Sequence, residues 1–430
     1  MLISPEDSVL EIGCGDGRLL EMLHGQKRVG VDLSERQIQK ARARIPHAEF
    51  HVQAGETLSL DSKFDVIIIS ETINHAADVQ MIFERLHRVS YEHTRLVVNF
   101  FNNFWRPLSA LAAQTGIRTR QPENNWFSHE DVRNLLALSG WEVVGMTSRI
   151  LFPFRAFGLE VLLNRGLAPL LPPFCLAIFC NARPLPAVPM KQLTVSVVIP
   201  ARNEAGNIEQ AVRRTPDMGA GTELIFVEGH STDSTWDEIQ RVAKLFPDRR
   251  ITCLQQSGTG KGDAVRAGFA AATGEILMIL DADLTVPPEE LPKFYAAIAS
   301  GRAEFANGVR MVYPMKEKAM RFLNLCANKA FGVIFSWLFG QPLKDTLCGT
   351  KVLLRQNYKR LAAGRAYFGD FDPFGDFDLL FGAEKMGLRI MDVPIHYVDR
   401  VYGSTNIQRW QHGWLLLRMV WFAARKLKFN

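Results

Sequence analysis

The chain has 430 residues with a net charge of +5, and at roughly 150 residues per domain its length predicts two or three domains, each with its own core. That charge is too small to argue for nucleic acid, and the six cysteines, at 14, 175, 180, 253, 326 and 348, form no Cys-x-x-Cys pair, so reduced cytoplasmic thiols are expected. No basic-then-apolar leader opens the sequence, and the apolar runs are too short, or too broken by Pro169, Pro172 and Pro173, to predict a transmembrane helix.

In chain order, Val9, Leu10, Glu11 and Ile12 read as a short strand that runs into a glycine turn, Gly13-x-Gly15-x-Gly17, and then a helix. Alternate glycines let backbone approach a ligand closely, and the helix offers its first amides. A second strand, 28–31, ends in Asp32, where a carboxylate can take both hydroxyls of a ribose. A nicotinamide-dinucleotide site wants a third glycine where this chain has Arg18. Residues 64–70 read as the fourth strand, 78–89 as the helix behind it, and 96–100 as the fifth strand. Then 129–138 reads as a helix, and 141–146 with 174–182 as a closing antiparallel pair.

Over about 1–185 this pattern resembles the class I S-adenosylmethionine-dependent methyltransferases. The resemblance implies a Rossmann-like sheet with S-adenosyl-L-methionine as cofactor, held by Glu11, Gly13, Gly15, Gly17, Asp32, Glu56 and Ser70. The third strand, near 50–52, is followed by Ala54 and Gly55 where an acid often stands, with Glu56 nearby. Transfer to an oxygen needs a base, for which His75 is the candidate, unless it is structural. The aromatic clusters at 100–105 and 126–127 line an acceptor pocket or belong to the core.

Pro184, Pro186 and Pro189 break any periodicity, so 186–192 is expected as a semi-rigid linker. Beyond it the strand 193–199 leads into Pro200-Ala201-Arg202-Asn203-Glu204, and 223–228 is a strand ending at Glu228 before a turn rich in capping residues. Lys261 follows between glycines at the mouth of a helix. The apolar run from Ile276 then predicts a strand buried on both faces that ends in Asp281-x-Asp283. Two carboxylates at a strand end suit a hard divalent cation, which would bridge to a nucleotide diphosphate.

These motifs, in this order, resemble the family 2 glycosyltransferases with a GT-A fold, over about 193–400. The resemblance implies a nucleotide-sugar donor contacted by Pro200, Arg202, Glu204, Glu228, Lys261, Asp281 and Asp283, with Mg2+ or Mn2+ on Asp281 and Asp283. Residues 345–351 and 375–380 are similar to later motifs of the dolichyl- and polyprenyl-phosphate sugar synthases, which implies a lipid-phosphate acceptor and draws attention to Asp345, Asp376 and Asp378 as catalytic groups. Chains that join the two domains in this order form a bacterial fusion type, which the whole sequence resembles.

A hydroxyl acceptor must lose a proton and so needs a base, whereas a lipid monophosphate, with a second pKa of about 6, arrives largely ionised. Arg310, Lys351, Arg400 and Arg409 are candidate cations for that phosphate, Arg310 and Arg400 foremost. In 401–430, Trp410, Trp414 and Trp421 interleave with leucines ahead of Arg425, Lys426 and Lys428, which predicts an amphipathic helix on the cytoplasmic face of a membrane. Residues 331–339 are a second candidate for shallow insertion. The expected architecture is α/β throughout: a Rossmann-like methyltransferase sheet followed by a GT-A α/β domain. The rival reading has a glycan or soluble hydroxyl as acceptor, a non-catalytic first domain, and the C-terminal aromatics as core.

Overall fold

The computed structural model describes residues 3–116, 125–154, 158–168, 171–186, 189–314, 322–339, 341–364, 376–400 and 402. The chain divides into two compact units, Met1–Ala187 and Val188–Asn430.

The first unit is built on β1 (Ser8–Ile12), β2 (Lys27–Asp32), β3 (Glu49–Val52), β4 (Phe64–Ser70), β5 (Ser90–Phe101), β6 (Trp141–Arg149) and β7 (Ala177–Pro184). They lie in the order β3-β2-β1-β4-β5-β7-β6. The first five strands are parallel; β7 runs against β5, and β6 against β7, which returns β6 to the common direction. Val9, Leu10 and Ile12 on β1 and Val66, Ile67 and Ile69 on β4 are buried, because helices cover both faces of a parallel sheet and leave no face for polar alternation. Chain order reverses between β1 and β4, so a crevice opens outside their C-terminal ends.

Strand β5 starts earlier than its apolar run because Thr94 anchors the polar stretch before it. The Thr94 hydroxyl accepts from Tyr91 N at 2.7 Å and donates to the Phe64 carbonyl at 2.6 Å. The helix behind β4 is Val79–Leu86, capped by Asp78, and ends in a single 3-10 turn at His87–Val89.

The second unit is built on β8 (Val195–Ala201), β9 (Thr222–Glu228), β10 (Arg250–Gln255), β11 (Ile276–Ile279), β12 (Phe305–Val309), β13 (Lys351–Leu354) and β14 (Ile390–Pro394). Their order is β10-β9-β8-β11-β13-β12-β14. Strands β10, β9, β8 and β11 are parallel, β13 opposes both β11 and β12, and β12 pairs in parallel with β14. Here the reversal falls between β8 and β11, which puts Asp281 and Asp283 just beyond the sheet.

The segment 331–339 corrects its sequence reading. It belongs to the helix Phe322–Phe339, which packs Phe335, Leu338 and Phe339 into the core with Leu277, Ile279, Val265 and Phe269. Fully burying such side chains contributes about 1.5–3 kcal/mol each. Val333 and Trp337 are the large apolar side chains this stretch leaves outside.

Candidate functional site

In the first unit the site is made mostly of backbone. Gly13, Gly15 and Gly17 all have positive φ, a conformation L side chains disfavour. The amides of Gly13 and Cys14 donate to the Val31 carbonyl at 2.7 and 3.0 Å, folding the turn back onto β2. A Cβ on Gly13 would lie 2.0 Å from the Thr72 hydroxyl, whereas nothing lies within 4 Å of a Cβ built on Gly15. Position 13 is glycine for Thr72; position 15 faces open space. Asp32 accepts from Gly15 N at 2.9 Å and from Ser34 N at 2.8 Å, so it holds the turn as well as ending β2.

Glu11 is 3% exposed, and its Oε2 has no hydrogen-bond partner. Burial pushes its carboxyl up to about 8; a backbone bond at Leu20 offsets part of this, and the charge of Asp32 adds to it. Glu56 accepts from the amides of Ala77 and Asp78 at 2.9 and 3.4 Å, bracing the loop that follows β4. Ser70 ends β4, its carbonyl 3.0 Å from the Thr72 hydroxyl, and His75 is exposed on the turn that follows.

In the second unit the site is made of charge. Lys261, the first residue of the helix Lys261–Ala271, pairs with Asp281 at 2.6 Å. Arg400 bridges two acids, Glu204 at 2.8 Å and Asp283. The other oxygen of Asp283 accepts from the amide and hydroxyl of Thr285 at 3.1 and 2.9 Å. Burial raises the Glu204 carboxyl above the usual range, against the pull of Arg400 and the Asn207 amide. Glu228 goes the other way: burial opposes its charge, but the Ser231 amide and hydroxyl and Gln255 outweigh it and hold the carboxyl low. Arg202 is exposed, and Pro200 is half-buried near the end of β8.

The two loops beyond β8 and β9 are stitched together. Asn203 N donates to the Ser231 hydroxyl at 3.1 Å, Thr232 N to Asn203 Oδ1 at 2.8 Å, and Glu204 N to the Thr235 hydroxyl at 2.9 Å.

Behind this edge lies a buried polar cluster. Asp345 is fully buried and holds Arg310 in a bidentate pair, Nε at 2.7 Å and Nη2 at 2.8 Å, while also accepting from Asn328 and Leu347 N at 3.1 Å. Burial alone would neutralise both groups, but their mutual attraction wins, lowering the Asp345 carboxyl and raising Arg310. The guanidinium also lies over the Tyr397 ring, 5.3 Å from its centroid. Two sequence readings change here. Asp345 is saturated by donors, which makes it a positioning residue for Arg310 instead of a group that touches substrate. Lys351 is fully buried with its ammonium donating to the Cys348 carbonyl, so it does not reach an acceptor phosphate.

Residues 196–357 match Glycosyl transferase family 2, and residues 3–138 match a methyltransferase domain. The chain joins a methyltransferase domain to a family 2 glycosyltransferase domain. The dolichol-phosphate mannosyltransferase of Pyrococcus furiosus is 35% identical over 224 residues, which is 50% of this chain and 60% of that protein. This chain thus spans less than two thirds of that relative's length. Solved structures similar to it include a methyltransferase of Thermotoga maritima described as a possible histamine N-methyltransferase, 19% identical, covering 42% of this chain and 83% of that one with a TM-score of 0.33. Another is an S-adenosylmethionine dependent methyltransferase of Mesorhizobium loti, 17% identical, covering 42% and 94%, with a TM-score of 0.34. At these scores the likenesses add nothing to the family matches.

In the glycosyltransferase domain the structure brings Glu204, Lys261, Asp281, Asp283 and Arg400 to one edge. Asp378 is 8% exposed on the helix Asp376–Lys385. The side chain of Asp376, residue Arg409, and the expected helix at 401–430 apart from Tyr402 lie outside the described residues. Sequence reasoning missed Gly349, where a Cβ would sit 2.0 Å from Asp281 and 2.3 Å from the Lys261 ammonium. In the methyltransferase domain it missed Thr72 and the clasp in which Asn74 Nδ2 donates to the Asn125 carbonyl and Asn125 N to the Asn74 carbonyl, both at 2.7 Å. The signal for Gly349 and Thr72 was a glycine whose neighbour lies far off in sequence, which no local pattern exposes.

Asp281 and Asp283 fit a divalent cation in the kind of their donors, hard carboxylate oxygens whose charge is already compensated by Lys261 and Arg400. Among the described residues no cluster of three or more His, Cys, Asp or Glu side chains that could hold a metal is found. No described helix is long and apolar enough to cross a membrane.

Proposed function

We propose that the C-terminal domain moves a sugar, with inversion, from a nucleotide-sugar donor to a polyprenyl-type lipid phosphate, and that the N-terminal domain transfers methyl groups from S-adenosyl-L-methionine. The observation that carries the first part is the set of paired charges at the β8–β11 junction, Lys261 with Asp281 and Arg400 with Glu204 and Asp283. An anionic diphosphate that enters there finds two cations it can draw off the aspartates, and the aspartates so released would hold Mg2+ or Mn2+. That ion would neutralise charge on the leaving diphosphate. Glu204 and Glu228 close the nucleotide end, the first to a base or ribose donor, the second holding its loop through Ser231. The domain acts from the cytoplasmic face of a membrane as a peripheral protein.

The name of the Pyrococcus relative supports a lipid phosphate over a hydroxyl, and so does the state of the acids. With Asp345 saturated by Arg310 and others, and Asp378 nearly buried, neither offers an open base. A phosphate dianion needs none. Arg310 is held from behind by Asp345 with one terminal nitrogen left over for the acceptor phosphate, the geometry a fixed anion clamp requires. The test is a donor screen with membrane extract that follows which labelled sugar partitions into organic solvent; label that stays in water with a glycan would overturn the lipid acceptor.

For the N-terminal domain, the open space over Gly15 and the unpartnered oxygen of buried Glu11 support a cationic nucleoside ligand. Titration calorimetry with S-adenosyl-L-methionine tests it, and absence of heat at saturating cofactor would make the domain a scaffold.

A further inference from the structure

The end of β6 and the start of β7 lie on the same edge as the Gly13 turn, since β6 runs with the parallel strands and Arg149 pairs with Ala177, which pairs in turn with Phe101 at the end of β5. Adjacent antiparallel strands are commonly joined by about two to five residues. Here residues 150–176 separate the two strands, and two described parts of this stretch are tied together: the Asn164 amide brackets Phe152, accepting from its N at 2.8 Å and donating to its carbonyl at 2.9 Å. On the same edge β5 leads into the helix Arg106–Gln114, which carries Leu108, Leu111 and four alanines or prolines yet buries no residue. The two segments meet. Phe104 packs edge-on against Phe174 at 5.0 Å, Trp105 Nε1 donates to the Phe174 carbonyl at 2.8 Å, and Asn102 Nδ2 donates to the carbonyls of Pro173 and Cys175 at 2.9 Å.

Both segments expose large apolar side chains: Phe104, Leu108 and Leu111 (57%) on the first, Leu162 (66%) and Phe174 on the second. A helix this short is marginal in water without a partner for its apolar face. Arg106, Arg149 and Arg165, on or next to the same segments, are exposed, and among the described residues none of them is paired with an acid. Glu160 is the one acid in 150–176, and it already accepts from Gly158 N at 3.0 Å. We propose that this face docks the methyltransferase domain on an anionic phospholipid surface, with the leucines and phenylalanines among the acyl chain tops and the arginines at the phosphates. A second copy of the chain fits poorly, because a two-fold contact would set the same arginines against each other. Docking this way turns the cofactor edge toward the headgroups.

The inference goes beyond the sugar-transfer reading, and its test contains neither nucleotide sugar nor polyprenyl phosphate, so each can fail alone. The full chain, with Trp410, Trp414 and Trp421 replaced by serine to silence the C-terminal segment, is sedimented with phosphatidylcholine vesicles with and without phosphatidylglycerol. Binding is expected only with phosphatidylglycerol, with tryptophan fluorescence quenched by brominated acyl chains to an extent that Trp105→Phe reduces. L108E/L111E should weaken it by about tenfold or more with an unchanged melting temperature, and R149E/R165E should remove the dependence on anionic lipid without touching the apolar residues. Binding that survives both double variants overturns the proposal. So does a lipid-free dimer that L108E/L111E dissociates, because a second copy would then cover the face.

Discussion

In the first unit the switch between β1 and β4 opens onto bare backbone and one buried acid, whereas in the second the switch between β8 and β11 is already filled by Lys261 and Arg400 on their aspartates. Both are ends of parallel strands, so the difference comes from the charge of the ligand each is suited to. A cationic cofactor is suited by a buried carboxylate with one oxygen left unpartnered, as in Glu11. An anionic diphosphate needs cations held in readiness, and those cations must be parked on something. The first site has only to be filled; the second has to exchange partners.

The sharpest way to break the second half of that comparison is Asp283→Asn. It removes the charge that Arg400 holds and that a divalent ion would use, and sugar transfer should fall by at least about 100-fold in kcat/KM. A variant that keeps more than a tenth of the wild-type rate while still requiring metal would take Asp283 out of the site.

For the first half, Gly15→Val should weaken S-adenosyl-L-methionine binding by about tenfold or more, because the side chain enters the open space, and should leave sugar transfer intact. Gly13→Ala is its counterpart. There the methyl meets Thr72, and the loss should appear as a lower melting temperature even without cofactor.

Glu11 supplies a smaller effect with a definite sign. Its carboxyl rises from 4.5 to about 8, so between those values the folded protein holds a proton that the unfolded chain has released, and stability falls as pH rises through that window. Glu11→Gln should therefore raise the melting temperature more above pH 8 than below pH 5. Cofactor affinity should climb with pH up to about 8 in the wild type and lose that slope in the variant; parallel slopes would mean that Glu11 does not meet the cationic end of the ligand.

The smallest effect is expected at Asp378. With an acceptor phosphate already ionised, Asp378→Asn should cost far less than the roughly 10²–10⁴-fold that loss of a general base brings. The rate should keep an acid limb near pH 6, where a phosphate monoester takes up its second proton. Disappearance of that limb in the variant would assign it to the carboxylate and favour a hydroxyl acceptor.

The parts of this comparison visible in the sequence are those confined to one turn or one strand end. Gly13-x-Gly15-x-Gly17 after Ile12, and Asp281 and Asp283 after an apolar run, declare themselves because strand, turn and chemistry fall within a dozen residues. What stayed hidden was pairing at a distance. Arg310 and Asp345 are 35 residues apart, and Arg400 and Glu204 are 196 apart, and spacing encodes neither. Lys351 reads as an available cation because burial, the property that ties it to Cys348, leaves no mark on a single residue type. The apolar stretch 331–339 reads as a candidate for shallow membrane insertion, yet an apolar run equally suits a helix laid on a sheet. Residues 174–176 read as the start of the last strand, but Pro172 and Pro173 open a 3-10 turn there and the strand begins at Ala177.

The chain crosses its own nucleotide edge a second time near its end. Val398 N donates to the Thr285 carbonyl at 2.9 Å, Arg400 ties Glu204 to Asp283, and Gly206 is a glycine because the Tyr402 ring lies where its Cβ would be. During synthesis, β8 and the Glu204 turn leave the ribosome almost two hundred residues before the arginine that completes them. At about 5–20 residues per second that interval is some ten to forty seconds, in which the strand and its acids exist without their counter-charge. A nascent chain in this state lacks the arginine that ties Glu204 to Asp283, so the edge is completed only after the rest of the domain has been made.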